Sequence, residues 1–102
     1  MRYVCDMAIL NFADKGTEQF FYSGAPPSKA GWKSVSNVAK RKLDMVNYAY
    51  ILDDLRSPRG NRLEELKGKL KGNYSIRIND QWRIIFKWTP NGPSDVRIAD
   101  YH

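Results

Sequence analysis

Cysteine and histidine occur once each in the 102 residues of this chain. A single Cys5 rules out an intrachain disulfide, and with His102 as its one companion no Cys/His zinc site can be built. Cys5 has no histidine near it in the sequence and reads as incidental. No cofactor and no metal are expected, so any catalysis is expected to be metal-free. Apolar runs stay well short of the ~20 residues that a membrane-spanning helix needs. The first residues show neither the basic start nor the apolar stretch of a secretion signal. The expected location is the cytoplasm, with Met7 a second candidate start beside Met1.

Acidic residues are in the minority: 11 Asp and Glu stand against 17 Lys and Arg, for a net charge of +6. A field of that sign favours polyanions, nucleic acid first. Arg56, Arg59, Arg62, Lys67, Lys69 and Lys71 are clustered, with only Glu64 and Glu65 among them. Such a cluster is commonly a solvated surface. Here it runs into strands that lead to the lone histidine. The length suits one domain over residues 1–102, able to bury a modest core. Trp32, Trp82 and Trp88 supply large pieces of core or stacking surface.

Ile9 to Phe12 reads as a short first strand. Asp14 is the expected N-cap of a first helix that buries Phe20 and Phe21 and stops at Gly24. Ala25-Pro26-Pro27-Ser28 is incompatible with helix. Trp32, Val35, Ala39, Leu43, Val46 and Tyr50 then step by three or four residues, the buried stripe of a second helix ending near Leu55. Lys42 falls inside that stripe, so its stem is expected to snorkel at the edge. The rest reads as a β-meander: a strand around Arg62 to Leu66, turns at Gly68 and Gly72, then alternation from Tyr74 to Ile78. Trp82, Ile84 and Phe86 share one face of the next strand; Arg83, Ile85 and Lys87 share the other. After the Pro90 to Pro93 turn, Val96, Ile98 and Asp100 alternate with Arg97, Ala99 and Tyr101. The expected class is α+β, an N-terminal strand and two helices packed on one face of a twisted antiparallel sheet.

Several segments resemble the HigB-type toxins of the RelE/ParE superfamily. They are Asn61-Arg62-Leu63, Leu66-Lys67-Gly68, Leu70-Lys71-Gly72, the run from Ser75 to Ile84, and the terminal Asp100-Tyr101-His102. Asp54 to Leu63 is similar to a stretch carried by the GraT subgroup. The resemblance implies a RelE-like fold and a ribosome-dependent mRNA endonuclease that cuts the codon in the A site. It implies neutralisation by a helix-turn-helix antitoxin of the HigA type, with operator DNA bound only through that antitoxin. It places Arg83 on a phosphate-contacting arginine, Lys67 on a basic strand-end position, and Asp100, Tyr101 and His102 on a C-terminal catalytic group. Many relatives carry histidine just before the Leu-Lys-Gly segment, where this chain has Glu64. Either Glu64 takes over part of the acid–base work or the activity is weaker.

Metal-free RNA cleavage uses the 2′-hydroxyl as nucleophile, and needs a base, an acid and cations on the phosphoryl oxygens. A free imidazole has an intrinsic pKa near neutrality, so His102 is the first choice for the acid. Glu64 or Asp100 would act as base or orient the imidazole, and Tyr101 would pack or offer a platform for a base. Lys67, Lys71, Arg77 and Arg62 are expected substrate contacts, and the planar fork of Arg83 suits two phosphoryl oxygens. In an arbitrary protein a terminal histidine is usually frayed and inert. Arg77 and Arg83 then merely line a sheet face. Two rival functions stay open: a gyrase poison of the ParE branch, and an RNA-binding module without catalysis.

Overall fold

The computed structural model describes residues 8–100. Helix α1 (Lys15–Ser23) begins where Asp14 Oδ1 accepts the Thr17 N–H at 2.6 Å. It ends at Gly24, whose φ of 78° and N–H to Phe20 O form a left-handed cap. Helix α2 (Ser36–Tyr48) follows a single 3₁₀ turn (Lys33–Val35). Four strands come after it: β1 (Glu64–Glu65), β2 (Asn73–Arg77), β3 (Trp82–Thr89) and β4 (Gly92–Asp100). They pair antiparallel in the order β1-β2-β3-β4.

Alternation in the strands and the stripe on α2 meet in one core. Ile76, Ile84, Phe86, Val96 and Ile98 from the sheet, with Ile78 just past β2, pack with Ala39, Leu43 and Val46 of α2 and with Phe20 of α1. The Phe20 and Trp32 rings lie 4.7 Å apart at 59°, an arrangement aromatic pairs favour. Trp82 closes one end of the sheet, and Gly31 lies against its ring.

The edge of β4 is covered rather than left open. Residues 10–13 run beside it in parallel: Leu10 N–H donates to Pro93 O, Val96 N–H to Asn11 O, and Ala13 N–H to Val96 O. The expected first strand is thus a strip with one bridge, Phe12 to Val96. Where the chain turns into α1, the buried Thr17 Oγ1 takes over and accepts the Ile98 N–H at 3.1 Å.

Two expectations for α2 are corrected. The helix ends at Tyr48, because Ala49 is extended (ψ 131°) and the Tyr50 and Ile51 N–H groups go to Asp54 Oδ2 at 2.9 and 3.1 Å. A carboxylate that captures backbone donors competes with the helix ladder. Tyr50 is therefore 72% exposed instead of core. Lys42 does not snorkel. It is buried, and its Nζ donates to Oδ1 of the fully buried Asn61. Burial pushes the Lys42 pKa down, and the neighbouring Arg41 adds to the shift.

Candidate active site

The sheet face away from the helices carries the charge. Arg77 pairs in register with Arg83, and Ser75 with both Glu64 and Ile85. Directly paired residues share a face, so two arginines, a serine and a glutamate converge at the β1–β2–β3 junction. Lys87 and Arg97 continue the same face toward β4.

Arg83 is the fixed member. Its Nη1 donates to Ser75 Oγ at 2.9 Å and to Arg62 O at 3.3 Å, and lies 3.7 Å from Glu64 Oε1. Only 11% of its side chain is exposed. A guanidinium stays charged in proteins, so one this buried needs acceptors around it. Ser75, itself wholly buried, supplies one from the neighbouring strand. Arg77 pairs with Asp80 at the β2–β3 turn, where Asn79 Oδ1 accepts the Gln81 and Trp82 N–H groups.

Arg62, Arg77, Asn79, Asp80 and Arg83 line a cleft of ≈ 280 Å³. Among the described residues the lining holds three guanidinium groups and one carboxylate, with Glu64 3.7 Å from Arg83, an excess of positive charge suited to an anionic ligand. Arg62 reaches the cleft from a left-handed backbone position (φ 46°, ψ 54°). For a residue with a side chain that conformation costs of order 1–3 kcal/mol, so the surroundings must hold it.

The expected site residues thus separate. Arg62, Glu64, Arg77 and Arg83 come together. Lys67 and Lys71 flank a 3₁₀ turn (Gly68–Leu70) beyond β1 and are exposed. Lys67 is three residues past Glu64, about 10 Å along an extended edge. Asp100 ends β4 in register with Trp82, not with Arg83, and so belongs to the opposite sheet face. Its Oδ2 accepts from Gln81 Nε2 at 3.0 Å. Tyr101 and His102 lie outside the described residues. Among the described residues, no three His, Cys, Asp or Glu side chains are grouped to hold a metal ion. The anchoring roles of Ser75 and Asn61 escaped the sequence reading. Ser75 shares the odd-numbered face of Arg77, a usable hint, whereas Asn61 stands out only as part of the Asn61-Arg62-Leu63 segment, which says nothing of a buried bond to Lys42.

A sequence model of the family described as "RelE-like toxin of type II toxin-antitoxin system HigB" matches residues 10–102. Toxin HigB-1 of Vibrio cholerae is 46% identical over 79 residues, covering 78% of this chain and 82% of that protein. The chain belongs to the HigB-type RelE-like toxins. The toxin's fold agrees with that of solved structures of low identity. The YoeB–YefM complex from Staphylococcus aureus aligns with a TM-score of 0.58 and 21% identity, covering 94% of this chain and 97% of that one. YafQ from E. coli aligns with a TM-score of 0.58 and 17% identity, covering 92% of each chain. As a type II toxin, this protein has an antitoxin as partner. Among the described residues no helix is long and apolar enough to cross a membrane.

Proposed function

We propose that this toxin is an mRNA endonuclease that works on the translating ribosome and cleaves the codon in the A site. The observation carrying the reading is the immobilised Arg83 guanidinium at the wall of a cleft shared with Arg62 and Arg77. Cations held in place before the reaction cost no reorganisation when charge develops on the phosphate.

The ribose 2′-oxygen attacks the adjacent phosphorus, its proton passes to a base, and the P–O5′ bond breaks. The 5′-oxygen takes a proton from an acid, leaving a 2′,3′-cyclic phosphate and a 5′-hydroxyl. Arg83, with Arg77 and Arg62, stabilises the phosphoryl charge. Glu64, 3.7 Å from Arg83 Nη1, acts as base or orients the acid. His102 is the acid, with Asp100 and Tyr101 beside it in the chain. Lys67 and Lys71 extend the phosphate track along the edge. The chain acts as one toxin domain in the cytoplasm, resembles the GraT subgroup, and is neutralised by a HigA-type helix-turn-helix antitoxin.

The test maps transcript ends after purified toxin meets programmed ribosomes. Cuts inside A-site codons are expected. They should vanish with Arg83→Ala, with His102→Ala, and with 2′-deoxyribose at the scissile position. DNA damage through gyrase without cuts would replace this reading by the ParE-like one. Salt-sensitive RNA binding without cuts would leave a binding module.

A further inference from the structure

Resting on the nuclease reading, we propose that Asn61, anchored by Lys42, is a positioning residue that sets the cleft arginines from the helical side of the molecule. Neither side chain lines the cleft. Both are buried, 19 residues apart in sequence. Lys42 Nζ donates to Asn61 Oδ1, so the amide is held from α2. Asn61 Nδ2 donates to Leu55 O at 3.2 Å and to Ser57 O at 3.4 Å. One side chain therefore ties the irregular stretch after α2 into a defined loop. The residue that follows is Arg62, in its left-handed conformation, with its N–H on Arg59 O at 3.0 Å. That conformation aims the Arg62 carbonyl at Arg83 Nη1 and lets the Arg62 side chain line the cleft.

A buried ammonium is an expensive way to hold a loop, and burial lowers the Lys42 pKa accordingly. Simple packing of α2 would use an apolar residue there. The ammonium gives a directional bond, and direction is what the loop requires: a small displacement of Arg62 would move both an acceptor of Arg83 and a cleft guanidinium. Misplacement of reacting groups by about 1 Å can cost ~10²-fold in rate.

The experiment compares Asn61→Ala and Lys42→Met with Val46→Ala, a core truncation on α2. Two quantities are read well below each Tm: hydrogen exchange of the Arg83 guanidinium by NMR, and single-turnover cleavage on ribosomes. Asn61→Ala is expected to speed Arg83 exchange at least tenfold and to lower the saturating single-turnover rate about 10- to 100-fold with half-saturation little changed. Lys42→Met should do the same more weakly, and Val46→Ala should do neither. Should Asn61→Ala fail to fold, Lys42→Met carries the test alone. Arg83 exchange unchanged in the folded variants, or changed equally in Val46→Ala, overturns the proposal. If the wild-type toxin cleaves nothing, the nuclease reading falls, while the exchange arm still decides whether Asn61 positions Arg83.

Discussion

Ser75 Oγ accepts a 2.9 Å hydrogen bond from Arg83 Nη1, although the two residues are diagonal neighbours on β2 and β3 rather than direct partners. Ser75 is wholly buried, and its hydroxyl holds a nearly buried guanidinium in one orientation. A hydrogen bond to a charged group contributes roughly 1.5–3 kcal/mol.

Ser75→Ala removes that acceptor and leaves Arg62 O and Glu64 in place. The expected outcome is a fall of about tenfold in kcat, matching roughly 1.4 kcal/mol of lost transition-state stabilisation, with a folded protein and little change in KM. Steady-state cleavage of a ribosome-bound message measures it. Unchanged kcat would show that the remaining acceptors suffice.

Lys67 and Lys71 are exposed and lie outside the cleft lining. If they track phosphates, Lys67→Gln with Lys71→Gln weakens RNA binding and flattens its salt dependence by ~0.7 in log–log slope per lost contact. The chemical step at saturation stays as it was. Titrations of a single-stranded RNA across several salt concentrations would reveal an unaltered slope if the two lysines merely solubilise the surface.

A Cβ added at Gly31 would sit 2.6 Å from Trp82 Cζ2 and 3.0 Å from Cη2. Ring and backbone cannot both stay, and Trp82 is the residue before Arg83. Gly31→Ala is expected to cost about 1–3 kcal/mol, as overpacking usually does, and to shift tryptophan fluorescence. A Tm equal to wild type would mean that the ring swings aside freely.

Acid should loosen the sheet through Asp95. This residue has φ 50° at the register shift between β3 and β4. The Asn11 amide bonded to its carboxylate is the largest cause of a lowered pKa; Lys87 Nζ, at 3.4 Å, adds to it. The unfolded chain protonates this carboxyl at a higher pH than the folded one. Stability therefore rises with pH in that interval, is fully present above the ordinary value near 4, and is lost as pH falls through the folded value. Asp95→Asn, which tolerates the left-handed backbone, should flatten part of the acid limb. Denaturant melts between pH 3 and 6 would contradict this if the two limbs superimpose.

Features encoded within a few residues were legible in the chain. Asp14 and Gly24 bracket α1 because a cap acts over three or four positions. The two faces of β2 and β3 follow from alternation, which puts Arg77 and Arg83 on one face, the one away from the helices; that Arg83 is nearly buried there does not follow from it. The apolar stripe carries α2 on to near Leu55, whereas the helix stops at Tyr48 because Asp54 captures the Tyr50 and Ile51 backbone donors.

Pattern and composition, being local and additive, settled the class of fold and the cationic face; the family likeness rested on a few short segments. Strand register and loop closure settled the rest. They join Arg83 to Ser75, to the Arg62 carbonyl and to Glu64, and they seat Lys42 on Asn61. Such contacts depend on which atoms meet once segments 8 to 21 residues apart are folded together, and no periodicity in the chain encodes that meeting.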